Sequence, residues 1–423
     1  MPNDVYTHEF SGNYPKYLAA SMQYECLPQT VWGNWFGYTT PDGRFVKSKE
    51  EATPTDKVVS VHNQLATAGQ KADKIEIPML RNLKQMPVFG RTELQRKEER
   101  FKVNTAQIPV DVCRHAVLTK DGEITELTLL DQLRRAEPEL RLHYIRVIEY
   151  LLGTFSMYWG FSYNIIKSDW WANDANIAAN SHPHVYISGV GKVGYTGGNP
   201  GSAGYEQEIG DQIDNMNASS LFDTRFLTWL GAQQQIQKIK PIQMVDGNRL
   251  WLCLAHPWQI ATLVADPKFH EVNALARAQA YAKDNPMLYR LRYVWGKFAI
   301  FETDTAVWPV RVDSSGDPEW GPSGVLTSDP EDLDLDLFEN YASDDKFAAM
   351  VLGANALGMA NVGRMKFKYR ADDYGAVEGT AYSLLTGCSR MDQRNRDDGT
   401  EGDNVIQQNS AIAVTSALEP PVA

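Results

Sequence analysis

The stretch "LCLAHPWQIATLVADP" (252–267) places His256 between an apolar run and Pro257. A histidine at such a corner could act as a general base or a metal ligand. The residue before a proline is held extended, and proline favours the first position of a helix. The spacing therefore predicts a strand, a corner at His256, and a helix that starts at Pro257. No Glu-x-x-His or His-x-x-x-His spacing accompanies it, so zinc-type chemistry lacks its ligands. His256 and Pro257 are expected to be a structural corner.

Other residues of catalytic type sit in incomplete patterns. In "GVGKVG", Gly189, Gly191 and Gly194 have the spacing of a dinucleotide fingerprint, after the strand-like "HVYIS". That fingerprint needs a helix next, because the helix N-terminus holds the pyrophosphate. "YTGGNPGSAG" follows instead, and Lys192 precedes Val193 where a phosphate-binding P-loop needs Ser or Thr. A flexible loop is the reading. His182 and His184 in "SHPHVY" share a face of an extended chain, but no carboxylate or thiol stands at ligand spacing. Cys26, Cys113, Cys253 and Cys388 lie far apart and make no CxxC pair, the pattern of buried or free thiols in a reducing compartment.

In the acidic run "SDPEDLDLDLFENYASDD" (328–345), "DLDLDL" resembles the opening of a calcium loop. Leu337 stands where that loop needs glycine, and Ser343 where it needs glutamate. A solvated acidic strand or loop is expected, with a weak divalent-cation site between subunits as the alternative. No Gly-x-Ser-x-Gly elbow occurs. The chain holds 11 Trp and 19 Tyr, which could stack on sugars. Asp372 and Asp373 could then serve a glycan hydrolase as acid and base, yet adjacent residues of an extended chain point apart. That hydrolase stands as the second reading. No catalytic, cofactor or metal site is assigned.

A charged cluster is more informative. Arg91, Arg96, Lys97, Arg100 and Lys102 alternate with Glu93, Glu98 and Glu99. Alone this is a solvated face, since exposed ion pairs contribute about 0–1 kcal/mol each. On a projection that must dock, mixed charges set register and exclude wrong partners. These eight residues are candidates for contacts between subunits.

The elements around these residues fit that role. Residues 1–60 carry scattered aromatics ("VWGNWFGYTTPDGRF") and read as an arm ordered only when it lies on something. "KIEIPML" alternates apolar and polar residues like a half-exposed strand, and "RFKVNTAQIPVDVCRHAVL" does so again. The charged loop lies between them, on a β-excursion with little apolar surface of its own. "TELTLLDQLRRAEPELRLHYIRVIEYLLGTFSMYW" predicts a helix from about 125, restarted or kinked at Pro138. Leu140, Tyr144, Val147, Ile148, Leu151 and Phe155 line one face. Residues 160–220, rich in Gly, Asn and Ser, are expected to be loops and short strands. "SLFDTRFLTWLGAQQQIQ" predicts a second amphipathic helix, with Phe222, Phe226, Trp229 and Leu230 aligned. "NRLWLCLA" is apolar on both faces, as a central strand is.

Composition narrows the class further. A chain of 423 residues is too long for one ordinary core, and 43% hydrophobic residues suffice for a sizeable interior. The net charge of −12 argues against a dedicated nucleic-acid binder. No apolar stretch reaches the length of a membrane span, and "MPNDVYTHEFSGNYPKY" lacks the pattern of a signal peptide. A soluble cytoplasmic protein is expected.

An arm, a projecting loop and a long helix without a catalytic set suit a self-assembling shell. The chain resembles the major capsid proteins of tailed bacteriophages, specifically the family typified by the coat of N4-like phages. Segments in family order carry the resemblance: "LATAGQKADKIEIPML", "PVFGRTELQRKEERF", "IPVDVCRHAV" and "LRRAEPELRLHYIRVIEYLL". Then come "VDGNRLWLCLAHPWQIATLVADPKF", "DNPMLYRLRYVWGKFAIFET", "MVLGANALGMA" and "DDYGAVEGTAYSLLTG", the last with Asp373, Tyr374 and Gly375 in place. Residues 160–220 and 328–345 read as insertions. The resemblance implies the α+β tailed-phage capsid fold of the Hong Kong coliphage type, shared with herpesvirus shells. Its parts would be an N-terminal arm (1–60), an extended β-loop (61–118) and a peripheral domain with a spine helix (119–219). An axial domain (220–365) would follow, then a return to the peripheral domain with a C-terminal tail (366–423). It further implies pentamers and hexamers closing an icosahedral shell around double-stranded DNA, without sequence-specific binding and without a membrane. Scaffolding, portal and decoration proteins would be the other partners. The virion would be its location, after assembly in the host cytoplasm.

Overall fold

The structure is a computed structural model. It describes residues 32, 36–39, 45–46, 58–62, 74–80, 103–119, 139–149, 152–153, 184–189, 192–196, 205–217, 219–243, 249–269, 293–303, 308–312, 318–320, 346–372, 377–391, 393–394, 405–407 and 409–416. The first strands are β1 (Phe36–Thr39), β2 (Phe45–Val46), β3 (Val59–His62), β4 (Lys74–Leu80), β5 (Val103–Pro109) and β6 (Asp111–Thr119). Helix α1 spans 139–149. After it come β7 (His184–Gly189), β8 (Lys192–Thr196), α2 (Tyr205–Asp214), α3 (Thr224–Ile236), β9 (Ile242–Gln243), β10 (Arg249–Ala255) and α4 (Pro257–Ala265). Next are β11 (Tyr293–Trp295), β12 (Phe298–Glu302), β13 (Trp308–Val312), β14 (Pro318–Trp320) and β15 (Lys346–Leu352). The chain closes with β16 (Leu357–Asp372), β17 (Val377–Arg390), β18 (Gln393–Arg394), β19 (Val405–Gln407) and β20 (Ser410–Ser416).

A ten-stranded sheet has the order β11-β12-β10-β15-β20-β7-β8, with β9, β13 and β14 attached to its side. Its middle strands are buried at nearly every position: Leu250–Ala255, Phe347–Leu352 and all of β20. A strand covered on one face would alternate, so runs such as "LWLCLA" require cover on both faces. On one face, Ile209, Ile213 and Met216 after α2 join the cluster that holds Leu252, Met350 and Ile412. On the other, Phe226, Leu227 and Leu230 of α3 and Ile260 and Leu263 of α4 pack with Trp251, Phe298 and Val351.

The expectation of loops and short strands over 160–220 is thus corrected by α2. Ile209 and Ile213, four residues apart and both fully buried, give that helix its inner face. The Gly- and Asn-rich surroundings had masked this signal.

A six-stranded sheet has the order β2-β1-β3-β16-β17-β6. Strands β1 and β3 are parallel to each other, and β3 is parallel to β16. Trp32, Val58 and Val59 are fully buried in the main cluster. These parts of the expected arm therefore rest on the chain's own β16; the remainder of 1–60 lies outside the described residues. The described part of helix α1, 139–149, buries Leu140, Tyr144 and Ile148, while Val147 is half-buried. The expected helical stretch 125–138 lies outside the described residues.

The stretch read as strand-like, 100–118, divides at Val110 between two sheets. Strand β6 stays in the six-stranded sheet, while β5 joins a four-stranded sheet of order β19-β18-β5-β4. Strands β4 and β5 pair antiparallel from Lys74↔Pro109 to Leu80↔Val103. Their base is clamped to β16, where Ile75 and Ile108 pack on Ala360 and Met391. Gly358 permits this approach, because a Cβ there would stand 2.6 Å from Ile108 Cδ1 and 2.5 Å from Met391 Sδ. The sheets also cut across the expected segments. Strands β7, β8 and β20 join the sheet of β10 and β15, and the border at 365/366 falls inside β16.

Between β15 and β16 the chain passes from one sheet to the other at Gly353. Its N–H donates to Asn409 O at 2.7 Å, and the next N–H, of Ala354, donates to Lys240 O at 2.9 Å. A Cβ on Gly353 would run into the Lys240 carbonyl oxygen, which is backbone and cannot swing aside. Gly353→Ala is expected to destabilise the chain by about 1–3 kcal/mol, read as a lower thermal midpoint in calorimetry.

Candidate functional site

His256 is 4% exposed and directly follows β10, as the N-cap of α4. Its Nδ1 accepts from the Trp258 N–H at 3.3 Å, and Gln259 Oε1 accepts from the His256 N–H at 3.1 Å. This is a reciprocal capping box, with Pro257 at the first turn of α4. Gln259 Nε2 then donates to Phe347 O at 3.0 Å and to Thr415 Oγ1 at 2.7 Å. The His256 ring stacks on Phe347 at 4.2 Å. The corner therefore fastens α4 to β15 and β20, and the imidazole is occupied as a cap and a packing surface.

The remaining chemistry-bearing residues stay apart. Among the described residues, no group of three or more His, Cys, Asp or Glu is placed to hold a metal ion. His184 is half-buried and stacks on Tyr186 at 6.5 Å, while His182 lies outside the described residues. Gly189 pairs with Lys192 across the β7–β8 hairpin, so the glycine run turns between antiparallel strands and opens no helix. Cys253 and Cys388 are buried free thiols. Burial pushes Cys253 up to about 12 and also raises Cys388, so neither is a nucleophile at neutral pH. Cys113 is half-buried and forms no disulfide; Cys26 lies outside the described residues. Asp372 ends β16 opposite Val377, with Asp373 outside the described residues. The acidic run 328–345 lies outside them as well. So do Arg91, Glu93, Arg96, Lys97, Glu98, Glu99, Arg100 and Lys102, between the paired strand ends Leu80 and Val103.

Sequence reasoning missed a polar cluster where α1 meets the six-stranded sheet. His115 of β6 stacks on His143 of α1, ring centroids 3.8 Å apart. His143 Nδ1 and the Tyr382 hydroxyl of β17 share a hydrogen bond at 3.1 Å, and Cys113 is hydrogen-bonded to the same tyrosine. Tyr144 meets Tyr382 edge-on at 5.9 Å. Burial, with the nearby charges of His115 and Arg146, holds His143 down at about 4. Burial likewise lowers His115 and raises Tyr382. Two stacked imidazoles cannot both be charged cheaply, so this joint is built for the neutral pair. Only the i, i+2 pair Cys113 and His115 signalled it in sequence; the partners come from elements far along the chain.

These features describe a scaffold whose polar groups hold elements together, and comparisons with known proteins agree. The family model described as phage capsid protein matches residues 15–419. No curated protein matches the chain. Among solved structures, the capsid of Ralstonia phage GP4 is similar at 17% identity, with TM-score 0.56, over 90% of this chain and 98% of that chain. The capsid asymmetric unit of cyanophage Pam1 is similar at 13% identity, with TM-score 0.50, over 86% of this chain and 89% of that one.

The histidine joint sets a pH dependence. In the folded chain His143 titrates near 4, below its ordinary 6.5, so the unfolded chain binds more protons between those values and stability rises with pH. The contribution is complete above about 6.5 and is lost as pH falls toward 4. The thermal midpoint of wild type is expected to drop more between pH 7 and pH 5 than that of His143→Gln. Equal drops would show that the joint does not titrate in this way.

Proposed function

The chain belongs to the phage capsid protein family, and on that premise we propose how it builds a shell. It has the α+β tailed-phage capsid fold and is a major capsid protein, a structural and non-enzymatic part of the virion that associates with its own copies. The observation that carries this is the family match over 15–419, joined to a fold whose polar clusters are structural.

We propose that the copies group as pentamers and hexamers and close an icosahedral shell around double-stranded DNA, in the cytoplasm of a bacterial host. The six-stranded sheet with α1 would form the peripheral part of each subunit. The ten-stranded sheet with α3 and α4 would form the axial part, around each capsomer's centre. The β4–β5 ladder supports a stalk for residues 81–102, whose eight charged candidates would lie on a neighbouring copy and set its register. Closed symmetry multiplies such modest contacts. Interfaces of ordinary size, about 1,200–2,000 Å², suffice when each subunit makes several. The net charge of −12 fits a wall that encloses DNA without gripping it. Scaffolding, portal and decoration proteins are proposed as further partners.

Deleting residues 85–102, which spares strand β5, is expected to leave a folded, soluble subunit that closes no shells, as seen by negative-stain microscopy. Normal particles from that variant would remove the loop from the mechanism.

A further inference from the structure

The face of the six-stranded sheet opposite α1 carries exposed cations in a regular grid. His115 of β6 and Tyr382 of β17 point toward α1, so their strand neighbours Arg114 and Ser383 point away from it. Arg114 on β6 and Lys366 on β16 both pair with Ser383 of β17, from its two sides. Lys368 pairs with Ala381, one row further along. Residues directly opposite share a face, and all three cations are exposed. Among the described residues, none of the three has an ion-pair partner. In the next row, on the other side of Ser383, Val112 and Leu385 pair directly and stand 46% and 39% exposed.

Together these rows form a trough. Ala381 and Ser383 are small and make its floor. The longer cations of β16 and β6 stand on either side, about 10 Å apart at two strand spacings. The base of the β4–β5 ladder covers the face beyond the apolar row, over Gly358 and Ala360, and closes that end. The rows at Ala381, Ser383 and Leu385 repeat at about 6.6 Å, twice the rise of a strand. Alternate side chains of any extended polypeptide repeat at the same interval.

The rows define the chemistry of an occupant. Three exposed cations on a chain of net charge −12 call for a local anion. Duplex DNA carries one charge per about 1.7 Å of axis, so it meets the repulsion of the whole chain. Its backbone also offers nothing to Val112 and Leu385. A short acidic segment of protein meets only the local field and can bring an apolar side chain to that pair. The projection of this chain does not qualify, since residues 81–102 include seven basic residues against three acidic ones.

We propose that this trough binds an extended acidic segment of a separate protein. Its acids, at alternate positions, lie beside Lys368 and Lys366, and an apolar residue covers Val112 and Leu385. Arg114 meets the second acid from the opposite wall. The shell reading supplies the setting, in which the partner attaches to the subunit's surface. Binding is read on full-length protein whether or not it assembles, so failure of either reading shows separately.

The probe is a labelled heptapeptide, Ser-Asp-Ser-Asp-Ser-Phe-Ser, made also in reverse order to allow either chain direction and followed by fluorescence anisotropy. One of the two is expected to bind full-length protein at low salt and to weaken as salt rises. Asparagine in place of both peptide aspartates is expected to cost at least about tenfold in affinity, and so is the variant Lys366→Glu/Lys368→Glu. Val112→Ser/Leu385→Ser is expected to weaken the phenylalanine peptide and to leave a version with serine in its place unchanged. No binding by either peptide overturns the proposal, as does equal binding by the lysine variant or by the asparagine peptide. Displacement of the peptide by duplex DNA at a lower concentration of charge assigns the face to nucleic acid and overturns it. Loss of self-assembly in the lysine variant, where wild type assembles, assigns the face to a contact between copies and overturns it too.

Discussion

A sheet that is apolar on both faces cannot be left uncovered on either, and this constraint organises the chain. Strands β10, β15 and β20 have hardly a position to offer to water. Helix α2 must therefore lie on one side and α3 with α4 on the other. At about 25 cal/mol per Å² of apolar surface removed from water, such double cover dominates any polar contact in the subunit. The sheet is also woven from distant segments: β20 lies between β15 and β7, so residues 184–189 and 410–416 are neighbours. Strands β7 and β8 join β15 only through β20.

Polar groups then serve as fasteners. Gln259 is fully buried and ties helix α4 to the backbone of Phe347 and the hydroxyl of Thr415. Asp266, just past the end of α4, accepts from the N–H and the hydroxyl of Thr224 at the start of α3, at 3.0 and 2.6 Å. The two helices on that face are thereby locked to each other as well as to the sheet. A subunit held in this way presents rigid surfaces, which is what repeated contact in a shell requires, since slack at one interface accumulates around a closed assembly.

Local grammar was the part of the fold most legible in sequence. The strand–His256–Pro257–helix passage follows from the restriction before proline and its preference for a helix start, and neighbours in sequence settle it. The strand over Lys74–Leu80 and the helix beginning at Thr224 were legible for similar reasons, through alternation in one and i, i+4 spacing in the other. Helix α2 was not, because its signal is Ile209 and Ile213 amid glycines and asparagines. Sheet membership was not legible either. Nothing near Val110 says that the chain leaves one sheet for another, and nothing near residue 410 says that β20 pairs with β7. The His115–His143 stack and the grid of Lys366, Lys368 and Arg114 depend on register between strands and helices far apart in the chain. Such register is fixed by packing, and no short window of sequence encodes it.

Solitary subunits of this chain should be a minority species once conditions allow contact. Analytical ultracentrifugation of the purified full-length protein, with electron microscopy of the fast-sedimenting fraction, tests this most directly. Closed particles or rings of capsomers in the megadalton range are predicted. A chain that stays a compact monomer at every salt, pH and protein concentration tried would contradict the account.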